Sequence, residues 1–211
     1  MLKIFLITFV LSYSYLFADN DDSSFVYLSE GSFSLQFQIT EKFLVKDFQG
    51  AVFSGKYLFT DKSALQVGFS TNFSNKDEHS FNEEPRYEND SFSIDINTRY
   101  LYYFTNNRLS PYIGFGPSLS YIQTSMKEYR QSVYDGNVIY KSDQTDAYVM
   151  GISAILGGEY FVTQHLSILA EYGIVFEYCF SKRTDRVTGE YDTKEYRLNP
   201  LNVKFGFSYN F

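Results

Sequence analysis

From Leu201 to Phe211 the chain alternates without a break. Leu, Val, Phe, Phe, Tyr and Phe hold the odd positions, and Asn, Lys, Gly, Ser and Asn hold the even ones. A period of two is a β-strand with one apolar face, here Val203, Phe205, Phe207, Tyr209 and Phe211 in a single row. Nothing after Phe211 is available to cover that row, which leaves lipid as its natural neighbour. In the hydrocarbon core a strand must have both hydrogen-bonding edges paired, so this one is expected to close a barrel against the first strand of the chain.

The same period recurs upstream. Apolar faces run through Phe33–Ile39, Ala51–Phe59, Leu65–Phe73, Phe92–Phe104, Ile113–Tyr121, Tyr148–Tyr160 and Leu166–Tyr178. With the terminal stretch they predict eight strands. In the segment from Pro111 to Tyr121 the small residues Gly114, Gly116, Ser118 and Ser120 turn inward, which suits a narrow barrel. Connections alternate in length: short near 60–63, 105–110 and 161–166, longer and polar near 40–48, 74–90, 124–146 and 181–198. Aromatic residues collect towards both strand ends, as two interfacial girdles would require. The sum is an all-β, antiparallel, up-and-down transmembrane barrel with short periplasmic turns and long extracellular loops.

Charge placement tests this independently. Lys56, Asp95, Arg99, Glu159, Glu171, Glu177 and Lys204 lie within strand segments, and all seven fall on the face opposite the aromatic one. A Lys or Arg facing mid-bilayer lipid costs about 2–4 kcal/mol, which explains their exclusion from the outer face. Counted from the short turns, Arg99, Glu171 and Lys204 stand at similar depth and Lys56 a little lower. The expectation is a polar cluster in the lumen, with a salt-bridge plug around Glu171, because buried charges must be paired.

Residues 1–18 carry Lys3, an apolar run and then Ala18 before the acidic Asp19-Asn20-Asp21-Asp22. That run is shorter than the ~20 residues of a spanning helix and reads as a signal peptide, leaving 19–211 as the barrel domain. With 20 Tyr and 22 Phe but 4 Pro, the composition favours sheet, and the mean hydropathy is nonetheless negative because only alternate residues face lipid. A net charge of −7 argues against nucleic acid as a partner. The single cysteine, Cys179, rules out an internal disulfide framework or a Cys-rich metal centre, and no cofactor is expected. The two histidines, His79 and His165, fall in connections at opposite ends of the strands, so they cannot share a catalytic site.

Eight alternating segments, inward charges, segregated loop lengths and a terminal Phe together resemble the small eight-stranded bacterial outer-membrane barrels, the OmpA-transmembrane-domain and OmpX-like group. The resemblance covers 25–211 and rests on pattern, with no catalytic motif. It implies an outer-membrane location after export, partner roles for the bilayer and for the barrel assembly machinery that reads Phe205, Phe207, Tyr209 and Phe211, and a monomer. It further implies a non-enzymatic surface role, in which extracellular loops bind a protein or host-surface ligand. Asp135-Gly136 is a strong two-residue hairpin signal, so strands five and six are expected to rise past the membrane as a ribbon, and Gly189 is expected to tip the seventh and eighth strands. Two alternatives stand beside this: a narrow channel for ions or small apolar solutes, and a lipid A-modifying enzyme using His79, Ser80 and Glu83.

Overall fold

A computed structural model of the protein describes residues 28–44, 49–78, 86–131, 138–185 and 189–211. Among these residues nine strands form one sheet: β1 (Phe33–Leu44), β2 (Gln49–Thr60), β3 (Ser63–Glu78), β4 (Arg86–Tyr103), β5 (Leu109–Gln131), β6 (Val138–Phe161), β7 (Leu166–Asp185), β8 (Gly189–Pro200) and β9 (Lys204–Asn210). All pairings are antiparallel, and strands β1 to β7 neighbour one another in chain order. The eighth place in the ring is shared. β8 pairs with the half of β7 far from the short turns, β9 pairs with the near half, and β9 alone goes on to pair with β1.

That division corrects the expected unbroken strand over 201–211. Glu171 faces Lys204 and Ile174 faces Pro200, so three residues, 201–203, stand opposite two on β7. One extra residue makes a β-bulge and reverses which parity points outward. Tyr196 and Leu198 face out before it, and Phe205, Phe207 and Tyr209 face out after it. Leu201, assigned by alternation to the lipid face, instead packs against buried side chains inside the barrel. Val203 belongs to no strand.

The lipid face is otherwise where the alternation put it, with Phe115, Leu119, Ile152, Ile168 and Phe207 among the exposed large apolar residues. Curling so few strands into a ring brings backbones close. A Cβ at Gly116, Gly173 or Gly206 would run into the carbonyl of Thr98, Ala154 or Phe37 on the next strand, so glycine is required at these bends.

Away from the short turns, strands extend through most of what reads as loop. β3 reaches Glu78 and β4 begins at Arg86, β5 and β6 pair out to Gln131 and Val138, and β7 and β8 pair out to Asp185 and Gly189. The ring is much shorter on its β1–β2 side, where β2 pairs with β3 only as far as Val52 and Ser70. The result is a closed barrel at one level and, above it, a six-stranded sheet from β3 to β8. Among the described residues β8 pairs with β7 alone.

Candidate functional site: the barrel lumen and the raised sheet

Inward-facing side chains fill the barrel in two polar tiers over an apolar floor. In the lower tier the Lys56 ammonium sits 2.7 Å from Glu159 Oε2, and both side chains are essentially inaccessible to solvent. Tyr103 donates its hydroxyl to the same carboxylate oxygen at 2.9 Å, and Ser167 donates to the other at 2.5 Å. Lys56 also donates to the Tyr103 hydroxyl at 3.1 Å. Every group here is paired, which is the condition for holding charge in a dry interior.

The upper tier centres on Glu171. Arg99 Nη1 lies 3.5 Å from its Oε2, while Tyr112 donates to its Oε1 at 2.8 Å and Gln66 at 3.4 Å. Gln66 also donates to Gln36 at 2.6 Å, and Gln36 accepts a further bond from Ser54. Lys204 stands directly across the β7–β9 ladder from Glu171. The gap bounded by Arg99, Glu171, Leu201 and Lys204 leaves no room for a water molecule. Arg99, Glu171 and Lys204 thus meet as a group, whereas Lys56 turns to Glu159 instead.

Leu28, Leu58, Leu101 and Phe161 form an apolar cluster towards the turn end of the barrel, continued upward by Ile155 beside the upper tier. Leu28 comes from the segment before β1 and is clamped there: its N–H donates to Asn106 Oδ1 at 2.9 Å, and Asn106 Nδ2 donates to its carbonyl at 2.7 Å. Sequence reasoning placed Glu159 on the inner face but not in the cluster, and it missed Leu28, Tyr103, Tyr112 and Asn106. A signal for two of these was present. Tyr102-Tyr103-Phe104 and Tyr112-Ile113 each put adjacent large residues in a strand, so one of each must face inward.

Phe205, Phe207, Tyr209 and Phe211 line the outside of the closing seam. Phe207 packs on Phe37 with ring centroids 5.5 Å apart, and the Phe211 N–H donates to the Phe33 carbonyl at 2.8 Å. Gly189 opens β8 with φ of 94°, a left-handed conformation suited to a hairpin tip. Asp135 and Gly136 lie outside the described residues, as do His79, Ser80 and Glu83. His165 sits in the turn between β6 and β7, its Nδ1 3.0 Å from the Asn210 carbonyl and its ring stacked on Tyr209.

The raised sheet carries exposed ion pairs along the β7–β8 hairpin. Lys182 pairs with Glu190 at 2.8 Å, and Glu195 with Arg197 at 2.6 Å. The hydrogen bond to Glu190 raises the Lys182 ammonium above its usual range, and the one from Arg197 holds the Glu195 carboxyl below its own.

A family model described as outer membrane protein beta-barrel domain matches residues 6–211. Among solved structures, the outer membrane protein OprG from Pseudomonas aeruginosa is 16% identical, the match covering 87% of this chain and 97% of that one with a TM-score of 0.50. CarO2 from Acinetobacter baumannii is 10% identical over 85% of this chain and 98% of its own, with a TM-score of 0.49. At such identities the likeness is one of fold. No curated protein matches the sequence.

Proposed function

The chain belongs to the family of outer membrane proteins built on a β-barrel domain, and from that premise we propose that it is a non-enzymatic surface protein whose barrel is a plugged scaffold for an extracellular recognition sheet. In this reading residues 1–18 direct export and are removed, the row ending at Phe211 is read by the assembly machinery, and the barrel works as a monomer. The short turns face the periplasm and the raised sheet faces outward. One observation carries the reading: among the described residues β8 pairs on one side only along its length, at the level where the ring is no longer closed. An edge of that kind takes an added strand from a partner, with main-chain hydrogen bonds supplying affinity and alternate side chains supplying choice. The partner is then an extracellular protein or host-surface ligand. The two polar tiers and the Leu28 floor support a scaffold over a channel, since they fill the interior that a solute would cross.

The test is a shortened hairpin. Ser181 and Thr193 face each other across the β7–β8 ladder, so replacing 182–192 by Asn-Gly joins them through a two-residue turn. The variant is expected to keep the heat-modifiable mobility of a folded barrel and to lose binding to the cells or matrix that the intact protein binds. Undiminished adhesion would remove the raised edge from the functional account.

A further inference from the structure

A second recognition feature lies on the outer face of the same sheet, away from the β8 edge. Immediately beyond the girdle pair Tyr121 and Tyr148, whose rings are 5.2 Å apart, two cross-strand rows follow. The first runs Phe73, Phe92, Gln123, and the second runs Asn75, Asp90, Ser125, Gln144. All seven residues line one open, shallow recess of about 670 Å³. The recess exists because the sheet curls outward here. Gln123 and Ser125 on the outer face are half-buried, while Met126 on the inner face is 41% exposed.

Its chemistry is specific in kind. Phe73 and Phe92 form a ring pair at 4.8 Å that supplies an apolar platform. Around it stand the amides of Asn75 and Gln123, the Asp90 carboxylate, three serines (Ser74, Ser91 and Ser125) and Gln144, which donates to Asp146 at 3.3 Å. Among the described residues the side chains of Asn75, Asp90, Gln123 and Ser125 make no hydrogen bond to the protein. Asp90, Gln123 and Ser125 are half-buried and Asn75 is exposed, so all four are open to a ligand whose hydroxyls replace water as their partners. Among the described residues the only charge lining the recess is Asp90, and Lys127, the next outward residue beyond Ser125, is paired with Glu88, so phosphate, sulfate and carboxylate ligands have no free counter-charge there. A purely apolar solute would leave the amides unpaired.

We infer that this recess binds a neutral saccharide. Sugar hydroxyls both donate and accept, as amide and carboxylate side chains together require, and the C–H face of a sugar ring packs on an aromatic surface. The position just beyond the girdle admits two sources for that chemistry: the oligosaccharide of the protein's own outer leaflet, or a glycan on another cell. The site does not depend on strand addition at β8.

The experiment uses the full chain folded in lipid nanodiscs and saturation-transfer NMR with calorimetry. The probes are maltotriose, cellotriose, mannotriose and N-acetylchitotriose, a dephosphorylated lipopolysaccharide core oligosaccharide, and a sulfated heparin tetrasaccharide as the anionic control. At least one neutral probe is expected to bind, and Gln123→Ala or Asp90→Ala should weaken it at least tenfold. Asn75→Ala, at an exposed position, serves as a third variant with no demand on folding. Binding confined to the core oligosaccharide assigns the ligand to the same membrane, and binding confined to the free glycans assigns it to another surface. Silence from every neutral probe, equal binding by all three alanine variants, or preference for the heparin fragment would overturn the inference.

Discussion

β7 carries two halves that differ in one respect. Near the short turns its partner is β9, which passes the hydrogen-bonding ladder on to β1 and closes the ring. Farther out its partner is β8, where among the described residues the ladder stops. The two partners come from one stretch of chain and differ by a single extra residue at 201–203. What separates them is solvent. An unpaired backbone edge costs several kcal/mol per group in hydrocarbon, whereas in water it is merely available. The bilayer therefore dictates closure at one level and leaves the other free for recognition.

The largest expected effects come from the closed half. Glu171→Ala leaves Arg99 and Lys204 facing each other without their carboxylate, and Glu159→Ala strands Lys56. Each should destabilise the barrel by about 3–5 kcal/mol in denaturant titrations from lipid vesicles. Glu171→Ala should also raise conductance in planar bilayers. If it changes neither stability nor conductance, the upper tier is no plug. Gly206→Val comes next. Its side chain would meet the Phe37 carbonyl at the closing seam, and a loss of about 1–3 kcal/mol is expected from overpacking.

In the open half the same measurements should barely move. Shortening β7–β8 across 182–192 should leave the barrel's unfolding free energy within about 0.5 kcal/mol of the parent; a larger loss would mean that the sheet helps to hold the ring. The smallest effect belongs to Lys182 and Glu190. A lysine whose pKa is raised on folding contributes fully below its ordinary range and loses that contribution as pH rises through the raised value. Both groups are exposed, so Glu190→Gln or high pH should quicken amide exchange only at the hairpin tip, without shifting global unfolding.

The contrast between halves also marks what the sequence could disclose. Where lipid meets one face and the lumen the other, Phe115, Ile152 and Phe207 alternate with small or polar neighbours, and strand number and facing are legible. In 74–78, 86–90, 181–185 and 189–195 both faces meet water, the alternation fades, and strands read as loops. The bulge at 201–203 was hidden because Leu201 and Val203 continue the apolar rhythm while the backbone slips by one residue. The lumen charges were visible from their parity. Their partners were not, since the choice of Glu159 for Lys56 follows from which strands stand across the ring, a distance that local pattern does not encode.

Hydrogen exchange across β7, β8 and β9, in the folded protein in bilayers, addresses the difference between the halves directly. Amides of β9 and of the facing part of β1 should be protected to the limit of global unfolding. In β8, amides bonded to β7 should exchange slowly, and those turned to the other side should exchange within the dead time unless a partner strand is added. Uniform protection along β8 equal to that of β9 would mean that its outer edge is already covered, and would contradict the account.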